Sequence, residues 1–391
     1  MRRITVFGAT GSVGESTLDL LARRDDVKVV ALTGGRQVAR LAELAQAHRA
    51  ELAVTAHEEC YGPLKAALAG SGIEVAAGPA AVVEAGYRQA DWVMSAIVGA
   101  AGLAPGFAAL SQGRTVALAN KESLVTAGKL LMSEARAHGA TVLPVDSEHS
   151  AVFQALVGED IAAVETVTLT ASGGGLRDWP LEKLAHATVA DAASHPNWAM
   201  GQRITIDSAS MFNKAMEVIE AREFFSLSPE QIRVLIHPQS LVHALVAFRD
   251  GAIMAHLGSP DMRHPIGYAL NWPKRAELPV ARLDLATAGR LDFAAPDLRR
   301  YPALRLAQEV MRAGGAAGAV FNAAKEVALD HFIDGEIGFL DMAGVVEDTL
   351  ARHDAVTGLG NAAESLQDVL DIDATARRRA VEVIRARGRA A

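Results

Sequence analysis

The chain has 391 residues, a length that predicts two or three domains rather than a single core. Hydrophobic residues make up 50% and charged residues 21%, a composition typical of globular proteins. The formal net charge of −8 argues against nucleic acid as the main partner, because phosphate backbones bind dense Lys and Arg patches, although it is compatible with a local basic pocket for one phosphate.

The cysteine content and the apolar segments bear on location. Cys60 is the single cysteine, so the chain cannot form an internal disulfide, and we expect a reducing, cytoplasmic location. Only residues 4–7 separate the basic start from a glycine motif, which is too short for a signal peptide. The uncharged stretch 92–113 is long enough to span a bilayer, but its glycines and Pro105 favour a buried strand, a turn and a short helix. We therefore expect no membrane partner.

The first 150 residues alternate apolar runs with amphipathic stretches. The apolar runs predict strands at Ile4–Phe7, Val27–Thr33, Leu52–Thr55, Trp92–Val98, Thr115–Ala119 and Thr141–Val145. The amphipathic stretches predict helices at Ser16–Arg24, Val38–His48 and Ser123–His138. Since this alternation is typical of an α/β fold, residues 1–150 are predicted to form a Rossmann-like, doubly wound parallel sheet with helices on both faces.

Residues 151–275 have the pattern of a mixed α+β domain. Strands are predicted at Val164–Thr170 and Val234–His237, and a helix at Ala209–Phe225. Asp250-Gly251 separates the apolar runs 241–248 and 252–257, which predicts a β-hairpin, because both turn positions favour positive φ. The prolines of residues 276–300 predict a linker, and residues 301–391, rich in Ala, Leu, Glu and Arg, predict a C-terminal helical bundle.

A glycine-rich turn follows the first strand and opens a helix. Its sequence is Gly-Ala-Thr-Gly-Ser-Val-Gly, at residues 8–14. Glycines let the backbone approach a pyrophosphate, and the helix N-terminus supplies N–H groups and a positive dipole. The alternative is a tight turn in a doubly wound fold that binds no nucleotide. The position of the motif inside a βαβ unit favours dinucleotide binding.

The end of the second strand bears on which dinucleotide is bound. It continues into Gly34-Gly35-Arg36-Gln37, without the carboxylate that bonds the ribose 2′-hydroxyl in NAD sites. By itself Arg36 would be interpreted as a solvated surface residue, but its guanidinium is suited to a 2′-phosphate. The missing acid and the basic residue together favour NADPH.

Two carboxylates follow the strand at 141–145. On an extended segment, Asp146 and Glu148 would face the same way, at the edge of the sheet where ligands bind. Like charges this close are costly without a cation or proton between them, and oxygen ligands suit Mg²⁺ or Mn²⁺. The alternative is a helix start, with Asp146 or Ser147 as the cap and Glu148 in the first turn. The spacing alone does not separate the two.

Polar residues on the predicted helix 209–225 form a second group. Ser210, Asn213, Lys214 and Glu217 share one helix face by their spacing. With Ser208 near the start of the helix, Asn213 and Lys214 are suited to a phosphate, and Glu217 lies one turn further along, where it would complete a metal site. The alternative is an ordinary amphipathic helix with a Lys-Glu pair.

Two glycine-bounded loops complete the candidate site. Ser-Gly-Gly-Gly at 172–175 follows a strand and is suited to an anion-binding nest of N–H groups, with a flexible turn as the alternative. His-Pro-Asn-Trp-Ala-Met-Gly at 195–201 precedes an expected short strand. Its Trp and Met predict a mobile lid near residues 186–203, with a structural loop that buries its Trp as the alternative.

These segments together resemble the 1-deoxy-D-xylulose 5-phosphate reductoisomerase family. The resemblance rests on the motifs at 8–14, 144–149, 172–174 and 195–201, and also on Ala-Asn-Lys-Glu-Ser-Leu-Val at 119–125, Asp-Ser-Ala-Ser-Met-Phe-Asn-Lys-Ala-Met-Glu at 207–217 and Ile-His-Pro-Gln-Ser at 236–240. It spans nearly the whole chain, and the order of the motifs is specific. Some family members have Lys-Asn where this chain has Arg36-Gln37, which keeps the positive charge.

The resemblance implies site residues by position. For the metal (Mg²⁺, Mn²⁺ or Co²⁺) it implies Asp146, Glu148 and Glu217, and for catalysis these three with Lys121 and His195. For the sugar-phosphate substrate it implies Ser147, Ser172, His195, Trp198, Ser208, Asn213 and Lys214. For NADPH it implies Thr10, Gly11, Ser12, Val13, Gly35, Arg36, Gln37, Asn120, Glu122 and Gly201.

The implied reaction rearranges 1-deoxy-D-xylulose 5-phosphate and reduces it with NADPH to 2-C-methyl-D-erythritol 4-phosphate, for isoprenoid precursor synthesis by a homodimer. Two other functions stay open. A semialdehyde-type NADP-dependent dehydrogenase needs a cysteine nucleophile, and Cys60 has no obvious base near it in sequence. A non-enzymatic NADP(H) sensor would not need the three acidic residues.

Overall fold

The computed structural model of the chain describes residues 1–194 and 201–388. The strands, in chain order, are β1 Arg2–Phe7, β2 Val27–Gly34, β3 Leu52–Thr55, β4 Glu74–Ala77, β5 Trp92–Ser95, β6 Thr115–Leu118, β7 Thr141–Pro144, β8 Val164–Ala171, β9 Ile232–Ile236, β10 Val242–Phe248 and β11 Ile253–Leu257. The helices are α1 Ser12–Leu21, α2 Val38–Ala47, α3 Tyr61–Ala67, α4 Pro79–Tyr87, α5 Leu103–Leu110, α6 Lys121–Ala137, α7 Ser147–Ala155, α8 Val189–Ala192, α9 Gln202–Ala209, α10 Phe212–Phe225, α11 Arg263–Asn271, α12 Leu285–Ala288, α13 Pro302–Ala313, α14 Ala317–Ile333, α15 Asp341–Thr357 and α16 Leu366–Arg387.

The chain forms two compact units. The first comprises Met1–Ser123, Leu131–Ser150 and Asp261–Ala281, and the second comprises Leu124–Leu130, Ala151–Pro260 and Arg282–Ala391. Each unit is therefore built from segments that are far apart in sequence. The domain limits predicted from sequence remain a separate proposal.

A parallel sheet of seven strands forms the centre of the first unit, in the order β4-β3-β2-β1-β5-β6-β7 among the described residues. Neighbouring strands are parallel throughout. The inner strands are buried on both faces, as Ile4, Leu32 and Trp92 illustrate, because helices cover the sheet on both sides. The strand order reverses between β1 and β5, which is where such sheets bind their ligands.

The segment that holds α11 packs with the first unit. The indole N–H of Trp92 donates a hydrogen bond to the Ala269 carbonyl over 3.2 Å, and the Arg24 guanidinium donates to the Asn271 side chain over 2.8 Å. These bonds join residues that are more than 170 positions apart in sequence.

The second unit contains a mixed sheet in the order β11-β10-β8-β9 and a helical bundle of α13 to α16. β10 is antiparallel to β11 and to β8, whereas β8 and β9 are parallel. The hairpin predicted around Asp250-Gly251 is confirmed, and Gly251 has the positive φ that its turn requires (92°). An apolar core that includes Val167, Phe212 and Phe321 holds sheet and helices together.

The predicted fold class is confirmed: a Rossmann-like sheet, a mixed α+β region and a C-terminal helical region are all present. Three local predictions were wrong. The sequence analysis missed β4, whose four residues are only partly buried and so lack a strong apolar run. The short strand expected after Gly201 is the helix α9. The single helix expected at 209–225 is interrupted, because Met211 takes a left-handed conformation with φ 64°. No helix in the described part of the chain is both long and apolar enough to cross a membrane.

Candidate active site

The glycine-rich turn between β1 and α1 has a steric reason for its composition. Gly8 has φ 77°, and a Cβ atom there would lie 2.5 Å from the Ala96 carbonyl oxygen. A Cβ atom on Gly14 would lie 2.2 Å from the carbonyl oxygen of Gly8. Both distances are impossible for real side chains, so only glycine lets α1 start this close to the turn.

Hydrogen bonds hold this turn against β2 and leave the start of α1 open. The Gly8 N–H donates to the Thr33 hydroxyl over 3.1 Å, and the Ala9 N–H donates to the Thr33 carbonyl over 2.7 Å. Gly11 precedes α1, and no side chain caps the helix. Thr10, Ser12 and Val13 flank this uncapped N-terminus, and the N–H groups of an uncapped helix start suit the pyrophosphate of a dinucleotide.

The end of β2 carries a basic residue in an exposed position. The Arg36 guanidinium lies 2.5 Å from the Glu59 carboxylate, and both side chains are about 60% exposed. A hydrogen bond from its own backbone N–H and one from Arg36 hold the pKa of Glu59 below its usual value. An ion pair this exposed is weak, so Arg36 is able to exchange Glu59 for a phosphate oxygen. With Gly35 and Gln37 beside it, this edge fits the adenosine 2′-phosphate of NADPH.

Asn120 organises the loop that follows β6. Its side-chain amide donates to the carbonyls of Ile97 and Gly99, and its side-chain oxygen accepts from the Ser123 N–H over 2.8 Å. It therefore caps α6 and ties the loop after β5 to the same place. Lys121 and Glu122, the next two residues, consequently start α6 at the ligand-binding edge of the sheet.

Asp146 lies two residues after the end of β7 and directly before α7 begins at Ser147. A helix therefore begins directly after Asp146, with Glu148 in its first turn rather than on an extended segment. The shared cation is compatible with this helix start and stays a prediction. The Ser147 hydroxyl donates to the Glu148 carboxylate, and the Lys121 ammonium lies 2.5 Å from Asp146. The contact between Lys121 and Asp146 was not predicted, because the two residues are far apart in sequence. β6 and β7 are parallel neighbours, so the residues that follow their carboxyl ends meet.

The charge state of Asp146 follows from these contacts. Burial by itself would raise the pKa of the carboxyl group, but electrostatic attraction, chiefly from the Lys121 ammonium, outweighs burial and holds the pKa well below its ordinary value. Asp146 is therefore ionised at neutral pH, which a metal ligand requires.

In the second unit, the loop 172–175 turns sharply after β8. Gly173 and Gly174 have φ values of 91° and 69°, and the Gly174 N–H donates to the Ser172 hydroxyl over 3.1 Å. The buried Tyr301 hydroxyl donates a hydrogen bond to the Gly173 carbonyl over 3.0 Å and so holds the loop in place. A Cβ atom on Gly174 would lie 2.5 Å from Cα of Ala209, so the loop sits directly against the end of α9.

The residues of the motif at 207–217 lie on two helices rather than one. Ser208 is in the last turn of α9 and Ser210 caps it, whereas Asn213, Lys214 and Glu217 belong to α10. The common helix face expected for Ser210 and the other three is therefore wrong, because the left-handed Met211 redirects the chain between them.

The first turns of α10 contain a buried pair of oppositely charged side chains, Lys214 and Glu217. The Glu217 carboxylate accepts a hydrogen bond from the Asn213 amide over 2.5 Å and another from the Lys214 ammonium. Glu217 and Lys214 have side chains only 1% and 4% exposed. A carboxylate buried to this extent stays ionised only with such partners or a cation.

The structure also shows residues that the sequence analysis did not single out. Tyr301 holds the loop 172–175, and Lys325 pairs with Asp207 beside Ser208. No spacing rule connects these pairs, because 128 and 118 residues separate their members. Gly201 directly precedes α9. The predicted lid residues His195 and Trp198 lie outside the described residues.

Comparison with known proteins decides the family. A family model described as 1-deoxy-D-xylulose 5-phosphate reductoisomerase matches residues 4–128, its C-terminal domain matches residues 142–225, and a further DXP reductoisomerase C-terminal domain matches residues 257–379. The chain belongs to the 1-deoxy-D-xylulose 5-phosphate reductoisomerase family.

Members of this family are similar to the chain over nearly its full length. The 1-deoxy-D-xylulose 5-phosphate reductoisomerase of Ruegeria pomeroyi is 67% identical over 380 residues, which cover 97% of this chain and 96% of the relative. That of Jannaschia sp. is 66% identical and covers 96% of both chains. The family resemblance inferred from the motifs is thereby confirmed.

Solved structures of the reductoisomerase family share the whole fold. The Zymomonas mobilis enzyme in complex with NADPH is 49% identical, with a TM-score of 0.92 and coverage of 98% of this chain and 99% of that one. A DOX-P reductoisomerase in complex with NADPH, fosmidomycin and magnesium is 38% identical, with a TM-score of 0.92 and 98% coverage of both chains.

Proposed function

We propose that this chain catalyses the NADPH-dependent rearrangement and reduction of 1-deoxy-D-xylulose 5-phosphate to 2-C-methyl-D-erythritol 4-phosphate, in isoprenoid precursor synthesis. One observation carries the proposal: a relative bearing this enzyme's name is 67% identical across 97% of the chain. The glycine turn, Arg36 and the buried carboxylates of both units supply groups that this chemistry needs.

We infer that the substrate phosphate binds to residues of the second unit. Ser172 offers a hydroxyl on a glycine-rich turn, Ser208 lies against that turn, and Lys214 and Asn213 follow the Met211 break. Donors with one cation among them match a phosphate dianion. Binding the unreactive phosphate end orients the ketose, so that this binding energy lowers the barrier at the distant carbonyl. His195, Ser147 and Trp198 are proposed as further substrate contacts.

We infer that a divalent cation binds to Asp146, Glu148 and Glu217. An all-carboxylate set suits Mg²⁺ or Mn²⁺, and Co²⁺ is a third candidate. When bound, the ion supplies Lewis-acid polarisation of the ketose carbonyl and a template for its neighbouring hydroxyl. The Lys121 ammonium helps to hold the pKa of Asp146 low, and hydrogen bonds from Asn213 and Lys214 orient the Glu217 carboxylate.

We infer that NADPH binds along the edge of the parallel sheet. The contacts proposed for it are Thr10, Gly11, Ser12, Val13, Gly35, Arg36, Gln37, Asn120, Glu122 and Gly201. NADPH supplies the hydride for the second half of the reaction, after the carbon skeleton has rearranged by cleavage and rejoining of a carbon–carbon bond. Lys121, which starts α6 after Asn120 and pairs with Asp146, is proposed to contact both substrate and cofactor. Closure of the loop near 186–203 would exclude water from the aldehyde intermediate.

The deciding experiment measures NADPH oxidation with 1-deoxy-D-xylulose 5-phosphate, with and without Mn²⁺. We expect turnover that depends on the metal and on the ketose phosphate. Oxidation that persists in excess chelator would instead favour a semialdehyde-type dehydrogenase, whose cysteine nucleophile would have to be Cys60. Tight NADPH binding without any oxidation would favour a sensor.

We further propose that the enzyme is a cytoplasmic homodimer. The family resemblance and the single cysteine support this proposal. Sedimentation equilibrium should then give a mass about twice the 41.1 kDa of the chain. A mass of one chain at micromolar concentration would refute the dimer and leave the reaction untouched.

A further inference from the structure

A buried ion pair connects α9 to α14 inside the second unit. The Lys325 ammonium lies 2.9 Å from the Asp207 carboxylate, and the two side chains are 6% and 11% exposed. Most of α14 is buried within the helical bundle, including Asn322 and Phe321. Lys325 therefore projects from a rigid element, and Asp207 is the group that it holds.

The helix α9 depends on such contacts for its position. It has only eight residues, and Gly201 at its start provides no side-chain hydrogen bond to its free N–H groups. Helices of two turns are marginal by themselves, so tertiary contacts decide where α9 lies. Ile206 and Ala209 supply apolar contacts, which allow rotation and sliding more readily than a directed ion pair does.

The residue next to Asp207 is Ser208, one of the proposed phosphate ligands. Side chains of successive residues in an α-helix point about 100° apart around the helix axis. The rotation of α9 that pairs Asp207 with Lys325 therefore also sets the direction of the Ser208 hydroxyl. A Cβ atom added to Gly174 would lie 2.8 Å from the Ser208 carbonyl oxygen, so the loop 172–175 packs closely against this turn of α9. A shift of α9 would therefore displace Ser208 and disturb Ser172.

We propose that Lys325 is a positioning residue for substrate phosphate binding, and that it acts through Asp207. The second carboxylate oxygen of Asp207 is buried and accepts no hydrogen bond from any residue that the structure describes. The charge of Asp207 is consequently compensated mainly from the α14 side, and loss of the ion pair would leave α9 without the directed contact that fixes its position against α14. The proposal rests on the proposed function.

The same two helices provide a matched control. Arg203 of α9 also forms an ion pair with Asp330 of α14, but these side chains are 47% and 53% exposed. An exposed pair contributes little to the free energy of folding, because water competes for both charges. Removing the Arg203–Asp330 pair tests whether substrate binding depends on any ion pair between α9 and α14, or only on the buried pair beside Ser208.

The experiment compares wild type with Lys325→Met, the double variant Asp207→Asn/Lys325→Met, and Asp330→Asn. For each, kcat, the KM for 1-deoxy-D-xylulose 5-phosphate and the KM for NADPH are measured at saturating Mn²⁺, together with the melting temperature. The double variant removes both buried charges at nearly unchanged volume, a replacement that folded proteins often tolerate, and it decides the question if the single variant does not fold.

In Lys325→Met and in the double variant, we expect the KM for the sugar phosphate to rise about tenfold, the loss typical of one misplaced hydrogen bond to a charged group. The KM for NADPH should stay within about twofold, because its proposed contacts lie mainly in the first unit. Asp330→Asn should resemble wild type. A double variant with wild-type KM for the sugar phosphate overturns the proposal, as does a loss of kcat with both KM values unchanged, which indicates a purely structural role. If wild type itself fails to oxidise NADPH with this substrate, the proposed function has failed instead.

Discussion

At the scale of single residues, the charged side chains proposed as ligands already have partners within the chain. Asp146 is paired with Lys121, and Glu217 is bonded by Asn213 and Lys214. Arg36, by contrast, is exposed and only loosely paired with Glu59. The buried carboxylates thus suit a tightly held ion, whereas Arg36 suits a cofactor that must leave in each cycle.

Substitution of Glu148 by Gln should damage the metal site alone. The amide keeps the volume but removes a negative charge, so turnover should fall by more than about a hundredfold, beyond the effect typical of a residue that merely supports a ligand. NADPH binding, followed by fluorescence titration, should remain within about twofold of wild type. Glu159→Gln, in the exposed segment after α7, is the control. Undiminished turnover of Glu148→Gln in excess metal would remove Glu148 from the ligand set.

Substitution of Arg36 by Met should weaken NADPH binding without weakening NADH binding. A hydrogen bond between charged groups contributes about 1.5–3 kcal/mol, so the dissociation constant for NADPH should rise about tenfold or more. NADH lacks the 2′-phosphate, and its dissociation constant should not change. Arg23→Met, which removes an exposed ion pair with Asp19 at the far end of α1, is the matched control. Equal weakening of both cofactors would show that Arg36 has no part in phosphate recognition.

At the scale of secondary-structure elements, close packing imposes the glycines. The motif at 8–14 predicted a turn between β1 and α1, and the structure confirms it: a Cβ atom added to Gly14 would lie only 2.2 Å from the Gly8 carbonyl oxygen. This much was predictable because the requirement is local. The break at Met211 was not, since a buried methionine with φ 64° has no sequence signature of its own.

Substitution of Gly14 by Ala should therefore abolish tight NADPH binding. The methyl group forces α1 away from the turn, at a cost of about 1–3 kcal/mol for overpacking, and moves the N–H groups proposed to bind the pyrophosphate. Gly62→Ala is the control, because nothing lies within 4 Å of its added Cβ in α3. Isothermal titration with NADPH distinguishes the two variants. Normal affinity in Gly14→Ala would exclude the turn as the pyrophosphate site.

The hydrogen bond from Tyr301 to the loop 172–175 predicts a pH effect. Burial raises the pKa of Tyr301 to about 12, above the value of about 10 of an unfolded tyrosine. The neutral form is thus favoured by folding, so its contribution to the free energy of unfolding is complete below about pH 10 and is lost as the pH rises through about 12. Absorbance titration at alkaline pH should show a late tyrosinate component that Tyr301→Phe removes.

A suitable control for this titration is Tyr61→Phe, since Tyr61 is 39% exposed. That variant should keep the late component. If Tyr301→Phe left the late component unchanged, the Tyr301 hydroxyl would not be the buried donor to Gly173.

At the scale of the whole molecule, each compact unit draws on distant parts of the chain. The first takes in residues 261–281, and the second takes in the short segment 124–130. The proposed metal ligands Asp146 and Glu217 are likewise 71 positions apart in sequence. Binding of one ion should consequently be linked to the global stability of the fold.

Mn²⁺ should raise the melting temperature of the protein. An ion present at a hundredfold its dissociation constant adds about 2.7 kcal/mol to the free energy of unfolding when it binds only the folded state. Scanning calorimetry with Mn²⁺ and with EDTA measures the shift, and Glu217→Gln should lose most of it. A shift of equal size in Glu217→Gln would place the ion elsewhere.

The sequence by itself determined the class of fold, most elements, the glycine turn and the family. These follow from local periodicity, from backbone sterics and from ordered motifs, which survive without knowledge of distant contacts. The tertiary structure decided the rest: the helix start at Asp146, the split between α9 and α10, and the pairing of Tyr301 with Gly173 and of Lys325 with Asp207. These depend on which buried groups meet across more than a hundred residues, or on packing that overrides local preference. In such cases a buried charge or hydroxyl pairs with the group that lies next to it in the folded protein, and the sequence alone does not show which group that is.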